Sequence, residues 1–418
     1  MSGADAPPPG AGGAAPVDPR RAPRRLTEIA ATFLKLGCIS FGGPIAHLGY
    51  LRAELVERRR WLDDAHYADL VALCQFLPGP ASSQVVFGLG MHRAGLAGAL
   101  LASICFTLPS ALLMIGFAYG LASAADLGSA GWLHGLKLAA VAVVAQAVWS
   151  MGKRLCPDRA RVSICIAAAA ALLALPGALA QLGAIAGGGL VGWWLYRREP
   201  AAASPRERGE VPARRHLAAT AALGLFFALL LALPALAAAT GSRLVAVFDS
   251  FYRAGSLVFG GGHVVLPLLR SEVVPSGWLS DDRFLAGYGG AQALPGPLFT
   301  FAAYLGAAMA PGPRAWLHGL WCLLAIFLPA WLLIGGALPF WHRLRTRPSA
   351  QAALAGANAA VVGVLLAALY SPVIAESIRD RLDVVAALAA FGVLEHWKAP
   401  PWFVVLALAA AGQWLLPT

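Results

Sequence analysis

Two copies of one short motif interrupt apolar sequence in this chain, and each could create a binding site. Leu77-Pro78-Gly79-Pro80 lies in the first half of the chain and Leu294-Pro295-Gly296-Pro297 in the second. Proline removes a backbone donor and clashes with the preceding turn, and glycine adds backbone freedom, so each motif breaks a helix. A helix that restarts after a break offers unpaired N–H groups and the positive end of its dipole, which attract anions. The two LPGP motifs therefore predict an anion site.

Polar and glycine residues next to the breaks extend this prediction. Hydroxyl groups would add donors at the restarted helices, and one glutamine precedes each break; these residues are Ser82, Ser83, Thr300, Gln75 and Gln292. Two turns, Gly42-Gly43-Pro44 and Gly260-Gly261-Gly262, would let the backbone approach a ligand closely. The glutamines could bond either the substrate or the broken backbone, and the sequence leaves both open.

Cationic side chains inside apolar sequence favour an anion as the ligand. Lys35 lies in the first apolar segment, and Arg253 occupies the matching position in the second half. Lys137 lies in a later segment, opposite Asn358 of the second half. Charges at membrane depth are costly and are usually functional. The alternative is that these cations extend to the membrane interface.

Two histidines, His47 and His263, flank the glycine turns. Either could carry a coupling proton or donate to an oxyanion, and the alternative is a structural role. Gly187-x-Gly189-x-x-Gly192 matches a dinucleotide fingerprint as a bare pattern, but its apolar setting predicts helix packing instead. No spacing of ligand residues predicts a metal site, and no ATPase or nucleophile motif occurs. The sequence predicts neither a cofactor nor an enzyme.

The elements that hold these residues are membrane helices. The chain has 418 residues, of which 59% are hydrophobic and 13% charged, and its mean hydropathy is +0.67. This excludes an ordinary soluble domain. The net charge of +11 comes from short basic clusters between apolar runs, which is typical of cytoplasmic loops and not of a nucleic-acid groove. We expect an all-α polytopic protein in a lipid bilayer with no nucleic-acid partner, and a homodimer stays open.

The chain contains an internal duplication. Phe41-Gly42-Gly43 returns as Phe259-Gly260-Gly261, Glu54 returns as Glu272, and the two LPGP motifs follow in the same register. This many matches in one register do not arise by chance.

The repeat divides the chain into four parts. We expect a disordered cytoplasmic tail over 1–25, a first half over 26–197, a linker with one membrane helix over 198–243, and a second half over 244–418. Each half has about six apolar segments, and a segment of about 20 apolar residues crosses a membrane. An even number of spans followed by one linking helix turns the second half upside down, which would bring all the breaks to the centre.

Basic residues set the expected orientation. Arg58-Arg59-Arg60 and the arginines before residue 26 place the N-terminus in the cytoplasm. If both clusters are cytoplasmic, the first apolar segment enters and leaves the membrane by one face. We therefore expect re-entrant hairpins at the breaks, and the alternative at the LPGP motif is a kinked helix that spans fully.

These motifs resemble those of the chromate transporter family in its long-chain bidomain form. The residues that carry the resemblance are the FGG turn with its proline at 41–44, LPGP at 77–80, FGGGH at 259–263 and LPGP at 294–297. The resemblance implies a secondary transporter of the bacterial inner membrane that exports chromate and confers chromate resistance, driven by membrane potential, proton antiport or both. Sulfate or another oxyanion stays open as substrate, and an anion channel is a further alternative.

Overall fold

The computed structural model describes residues 22–41, 43–123, 131–175, 178–197, 213–259, 262–310, 312–341 and 347–414. Over these residues the chain forms helices and turns, which confirms the all-α prediction. The helix α1 begins at Ala22, inside the stretch predicted to be a disordered tail. Residues 1–21 of that stretch, and most of the predicted polar linker, lie outside the described residues.

The helices of the two halves follow the same order. The first half contains α1 (Ala22–Ile39), α2 (Gly43–Arg52, extended by a π-helical turn over Ala53–Arg58), α3 (Asp64–Phe76), α4 (Ala81–Ser123), α5 (Gly131–Leu155), α6 (Arg159–Ala174) and α7 (Ala178–Tyr196). The linking helix is α8 (Ala213–Thr240). The second half contains α9 (Arg243–Leu257), α10 (Val265–Val273), α11 (Asp281–Ala293), α12 (Phe301–Met309), α13 (Ala315–Ala337), α14 (Pro348–Ala368), α15 (Arg381–Glu395) and α16 (Pro401–Trp414).

Several helices are long and apolar enough to cross a membrane. Within the described residues five such helices occur: Ala81–Ala122, Gly131–Leu155, His216–Thr240, Ala315–Phe340 and Pro348–Ile374. The linking helix α8 has only 11% of its apolar window buried inside the protein. Its remaining apolar surface therefore requires an apolar surrounding, as a bilayer provides.

The chain reverses direction at each LPGP motif. A Cβ atom at Gly88 of α4 would lie 2.6 Å from Cδ1 of Leu70 on α3, and the Tyr304 hydroxyl of α12 donates to the carbonyl of Arg283 on α11 over 2.7 Å. Collinear helices would hold these partners far apart, because a helix rises about 1.5 Å per residue. Each motif is therefore the tip of a helical hairpin, as re-entry requires.

A second reversal follows each hairpin. Within α4 the backbone leaves helical geometry at Ala94 and Gly95, where Gly95 has φ +65°. A Cβ atom at Gly90 would lie 2.8 Å from Cβ of Ala102, so the stretch 81–93 folds back on 96–123. In the second half α12 and α13 make the same reversal near Gly312, with φ +116°.

Equivalent helices of the two halves run antiparallel. A Cβ atom at Gly319 of α13 would lie 3.0 Å from Cγ1 of Ile115 on α4. Four residues further along α4, the Tyr119 hydroxyl donates to the carbonyl of Gly312, which precedes α13, over 3.2 Å. A later residue of α4 therefore contacts an earlier residue of the second half, so α4 and α13 run in opposite directions. This is the arrangement of an inverted repeat.

The halves also exchange helices. α6 and α7 pack on α14 of the second half, and α15 and α16 pack on α5 of the first. The contacts use small residues: a Cβ atom at Gly192 would lie 2.6 Å from the amide nitrogen of Gly356, and one at Gly135 would lie 2.0 Å from the carbonyl oxygen of Leu408. Small residues let membrane helices approach closely. Gly192 therefore serves helix packing, as its apolar setting predicted.

Candidate functional site

The two LPGP turns meet the two segments that follow α1 and α9, and each turn pairs with the segment of the opposite half. The amide of Gly79 in the first LPGP turn donates to the carbonyl of Val258, just after α9, over 2.6 Å. The amide of Gly296 in the second LPGP turn donates to the carbonyl of Ser40, just after α1, over 2.8 Å. Each LPGP turn thus binds the other half of the protein. We call these residues and the two LPGP turns the crossed-break site.

Both LPGP turns need glycine for the same backbone reason. Gly79 has φ +117° and Gly296 has φ +102°, a region that side-chain-bearing residues rarely adopt. The conformation points each glycine amide toward the opposite half. The flanking prolines have no amide to donate.

The two helices that restart after the turns begin differently. In the first half, the amide of Gln84 donates to the carbonyl of Pro80 over 2.9 Å, so α4 starts directly as an α-helix. In the second half, the amide of Thr300 donates to the carbonyl of Pro297 over 3.0 Å and forms a 3₁₀ turn before α12. The tighter turn uses one amide that the α-helical start leaves open.

The hydroxyl groups at these starts are buried. Ser82 and Ser83 are each 3% exposed, and Ser83 Oγ has no hydrogen-bond partner among the described residues. Thr300 Oγ1 lies 2.8 Å from the carbonyl of Pro297 and 2.6 Å from Oγ of Ser110. The structure therefore brings all three predicted hydroxyls to the breaks. Of the three, only the Thr300 hydroxyl contacts two hydrogen-bond partners, the Pro297 carbonyl and the Ser110 hydroxyl.

The glutamine that fixes the first LPGP turn is not one of the two predicted ones. Gln75 is exposed, and Gln292 is half-buried with its Nε2 buried and unpartnered among the described residues. Gln84, which is fully buried, donates from Nε2 to the carbonyl of Pro78 over 2.8 Å and fixes the first LPGP turn. Gln84 has no counterpart in the repeat, where Phe301 stands instead, so the duplication does not single it out.

The two histidines bond different partners. His47 is buried on α2, and its Nε2 lies 3.0 Å from the carbonyl of Ser40. A carbonyl only accepts, so Nε2 carries the hydrogen, and Nδ1 is buried without a partner among the described residues. His263 bonds the hydroxyl of Tyr288 through Nδ1 over 2.8 Å. Both histidines thus lie beside the breaks.

The predicted cations of the first apolar segments lie beside carboxylates. Arg253 contacts Glu272 through two nitrogens at 3.1 and 3.0 Å and contacts Asp249 at 3.0 Å. Lys35, at the matching position, lies 3.7 Å from Glu54. Lys35 and Arg253, which the sequence predicts to bind the substrate, thus each lie near a carboxylate of their own half. Glu54 and Glu272 recur in register in the repeat.

The third predicted cation is also paired. Lys137 on α5 is buried and donates to Oδ1 of Asp282, at the start of α11, over 2.5 Å. One turn earlier on α5, Nε2 of the buried His134 lies 2.7 Å from Oδ1 of Asp383, a contact that the sequence did not predict. Asn358 lies on α14, and its Oδ1 is buried without a partner in the described part of the chain. These pairs join the two halves away from the breaks.

The glycine turns are described in part. Gly43 begins α2 with φ +78°, Pro44 follows it in the first turn, and Gly262 opens a 3₁₀ turn before α10. Gly42, Gly260 and Gly261 lie outside the described residues. Pro78, Pro80, Pro295 and Pro297 lie within the two LPGP turns.

Fold and site together define a multi-pass membrane transporter. Two inverted halves meet at discontinuous helices whose starts carry buried N–H and O–H donors, which is the plan of many secondary transporters. Non-helical backbone is tolerated at such depth because it is buried in protein.

The chain belongs to the chromate transporter family. The profile described as "Chromate transporter" matches residues 27–193 and 245–413, so it covers both halves. The chain is 31% identical over 405 residues to a protein named chromate transport protein from Pseudomonas aeruginosa, covering 94% of this chain and 93% of the relative. It is 28% identical over 402 residues to a probable chromate transport protein from Synechococcus elongatus, covering 93% and 95%. No solved structure was found to match the chain.

Proposed function

We propose that this protein exports chromate across the bacterial inner membrane, with its N-terminus in the cytoplasm, and so confers chromate resistance. The observation that carries the proposal is the crossed-break site, where two helix starts and their hydroxyls lie buried between inverted halves. The relatives named chromate transport protein support chromate as the substrate. The basic clusters over 20–25 and around Arg59 support the orientation.

The chemistry of the site suits an anion that must be released again. Its donors are amides and hydroxyls, while Arg253 is engaged with Glu272 and Asp249. Helix starts supply about half a positive charge and several N–H groups. We infer that the anion is held by these neutral donors.

Membrane potential is sufficient as a driving force. A charge that crosses the membrane changes in energy by about 2.3 kcal/mol per 100 mV. A dianion that leaves a cell with a negative interior therefore gains roughly 4–5 kcal/mol, which corresponds to more than about a thousandfold in concentration. The same potential opposes sulfate uptake, which would need co-transported cations.

If protons are exchanged for the anion, His47 is the better candidate of the two histidines. Its Nε2 is held by the Ser40 carbonyl, and its Nδ1 is buried without a partner among the described residues, so one nitrogen is open to a proton. Nδ1 of His263 is engaged with Tyr288. We therefore place proton coupling, where it operates, at His47.

Transport into everted membrane vesicles tests the proposal. We expect labelled chromate to accumulate when the vesicle interior is made positive, and the half-saturation concentration to rise only weakly with added sulfate. A pH gradient imposed without a potential measures proton antiport separately.

Three results would contradict the proposal. Accumulation of sulfate without chromate would favour the sulfate or general oxyanion carrier. Flux that does not saturate would favour an anion channel. Absence of any anion flux from folded, inserted protein would reject oxyanion transport altogether.

A further inference from the structure

We propose that the two halves contribute unequally to the anion site. The oxyanion binds at the start of α4, where the Ser83 hydroxyl donates to it, whereas the equivalent start of α12 is closed by internal hydrogen bonds. This inference rests on the proposed oxyanion transport and adds which helix start receives the anion.

The repeat identifies the residues to compare. Alignment of the two LPGP motifs pairs Ser83 with Thr300, and alignment of Leu108-Pro109 with Leu328-Pro329 pairs Ser110 with Ala330. The structure agrees with this pairing. A Cβ atom at Gly296 would lie 2.8 Å from Cβ of Ser110, and one at Gly79 would lie 3.5 Å from Cβ of Ala330.

At the start of α12, neither Thr300 nor Ser110 has a hydroxyl hydrogen left for a ligand. Thr300 has one hydroxyl hydrogen, and it donates to the carbonyl of Pro297, which can only accept. Ser110 must therefore donate its own hydrogen to Thr300 across their 2.6 Å contact. Both hydroxyl hydrogens are consumed inside the protein.

The start of α4 is open because Ser83, unlike Thr300, donates to no carbonyl of its own turn, and Ala330 stands at the position that Ser110 occupies in the other half. A methyl group offers no hydrogen bond, and Ser83 Oγ is buried without a partner among the described residues. A buried hydroxyl without a partner is costly, and a bound ligand is one way to satisfy it.

The backbone favours the same helix. The α-helical start after Pro80 leaves the amides of residues 81–83 without intrahelical acceptors. The 3₁₀ turn after Pro297 engages the amide of Thr300. A tetrahedral oxyanion presents several acceptor oxygens, so it can bond the Ser83 hydroxyl and the free amides together.

The test compares two reciprocal substitutions, measured as the half-saturation concentration for chromate in proteoliposomes. Ala330→Ser adds a hydroxyl oxygen that can accept the Ser83 hydrogen, and should raise that concentration on the order of tenfold. Ser110→Ala is the matched control on the other side and should change it by less than about twofold. Ser83→Ala should raise it on the order of tenfold or more, whereas Thr300→Ala should have an effect about fivefold smaller.

A double variant separates this mechanism from a steric effect. If Ala330→Ser acts through Ser83, it should have no further effect in the Ser83→Ala background. Equal effects of Ser83→Ala and Thr300→Ala, or full additivity in the double variant, would overturn the inference. Melting temperature in detergent confirms that each variant is folded.

Failure of the proposed function gives a different result. If the wild-type protein transports sulfate instead of chromate, the same four variants are compared with sulfate, and the inference is decided there. If the folded wild-type protein binds and transports neither anion, the proposed function fails, and this inference is rejected with it.

Discussion

Arg253 and Lys35 occupy the same position in the two halves but have different surroundings. Arg253 makes two bonds to Glu272 and a further one to Asp249, and its side chain is 27% exposed. Lys35 lies 3.7 Å from Glu54, and its side chain is 51% exposed. In the second half the arginine itself thus joins two carboxylates, whereas in the first half Glu54 is bound mainly by Arg58 and Arg59, and Lys35 is its longer, half-exposed contact.

The LPGP turns differ in the same direction. In the second half, Thr300, Ser110 and Pro297 form a closed set of hydrogen bonds, while in the first half Ser83 is left open. One half of a duplicated site can thus become a rigid support while the other keeps unpaired groups for a ligand. Three pairs of substitutions test this division.

Replacing either LPGP turn by alanine should have the largest effect. Pro78-Gly79-Pro80 changed to three alanines should extend α3 into α4, remove the Gly79 bond to Val258 and abolish transport. The matched change of Pro295-Gly296-Pro297 should abolish transport and also lower the melting temperature, because it disrupts the closed set of hydrogen bonds at the start of α12. Transport by the inserted first-half variant at the wild-type rate would remove the basis of the site.

Removing the two equivalent cations should lower the free energy of unfolding to different extents. Arg253→Gln leaves Glu272 and Asp249 without their cation and should cost up to about 3 kcal/mol of unfolding free energy. Lys35→Gln removes a half-exposed contact and should cost less than about 1 kcal/mol. Thermal unfolding in detergent measures both.

The same pair of variants tests the sequence prediction that these cations bind substrate. An unchanged melting temperature in Arg253→Gln, together with a raised half-saturation concentration for chromate, would show that Arg253 acts on the anion and not as support.

The glycines of the two turns should show the smallest difference. Gly79→Ala and Gly296→Ala each place a side chain at positive φ, which costs about 1–3 kcal/mol. The added Cβ at Gly296 meets Cβ of Ser110 at 2.8 Å, whereas that at Gly79 meets Nε2 of the flexible Gln84 side chain at 2.9 Å. We expect Gly296→Ala to be the less stable by roughly 1 kcal/mol. Equal melting temperatures would show that both turns accommodate the added methyl group equally well.

Much of the fold was predictable because it depends on local sequence. Long apolar runs predict membrane helices, and the proline and glycine of each LPGP motif predict a break wherever they occur. The repeat predicted two inverted halves with their breaks at the centre, and the crossed bonds of Gly79 and Gly296 confirm that meeting. The membrane helix predicted within the linker over 198–243 corresponds to α8, Ala213–Thr240.

The site was less predictable because its contacts join distant parts of the chain. Sequence alone placed Lys35, Arg253 and Lys137 at membrane depth but did not pair them with Glu54, Glu272 and Asp282. The charge of a site depends on which carboxylates the fold brings within bonding distance. Spacing along the chain does not report that.

Local sequence chemistry is enough to show a duplicated, helical membrane protein with two matched helix breaks, since it sets both helix length and helix interruption. How the breaks pair, and which helix start stays open, depends on contacts between the halves that lie far apart in the chain. Ser83 and Thr300 are equivalent in sequence, and both carry a hydroxyl. They differ because Thr300 donates to the Pro297 carbonyl and contacts Ser110, whereas Ser83 has no partner among the described residues.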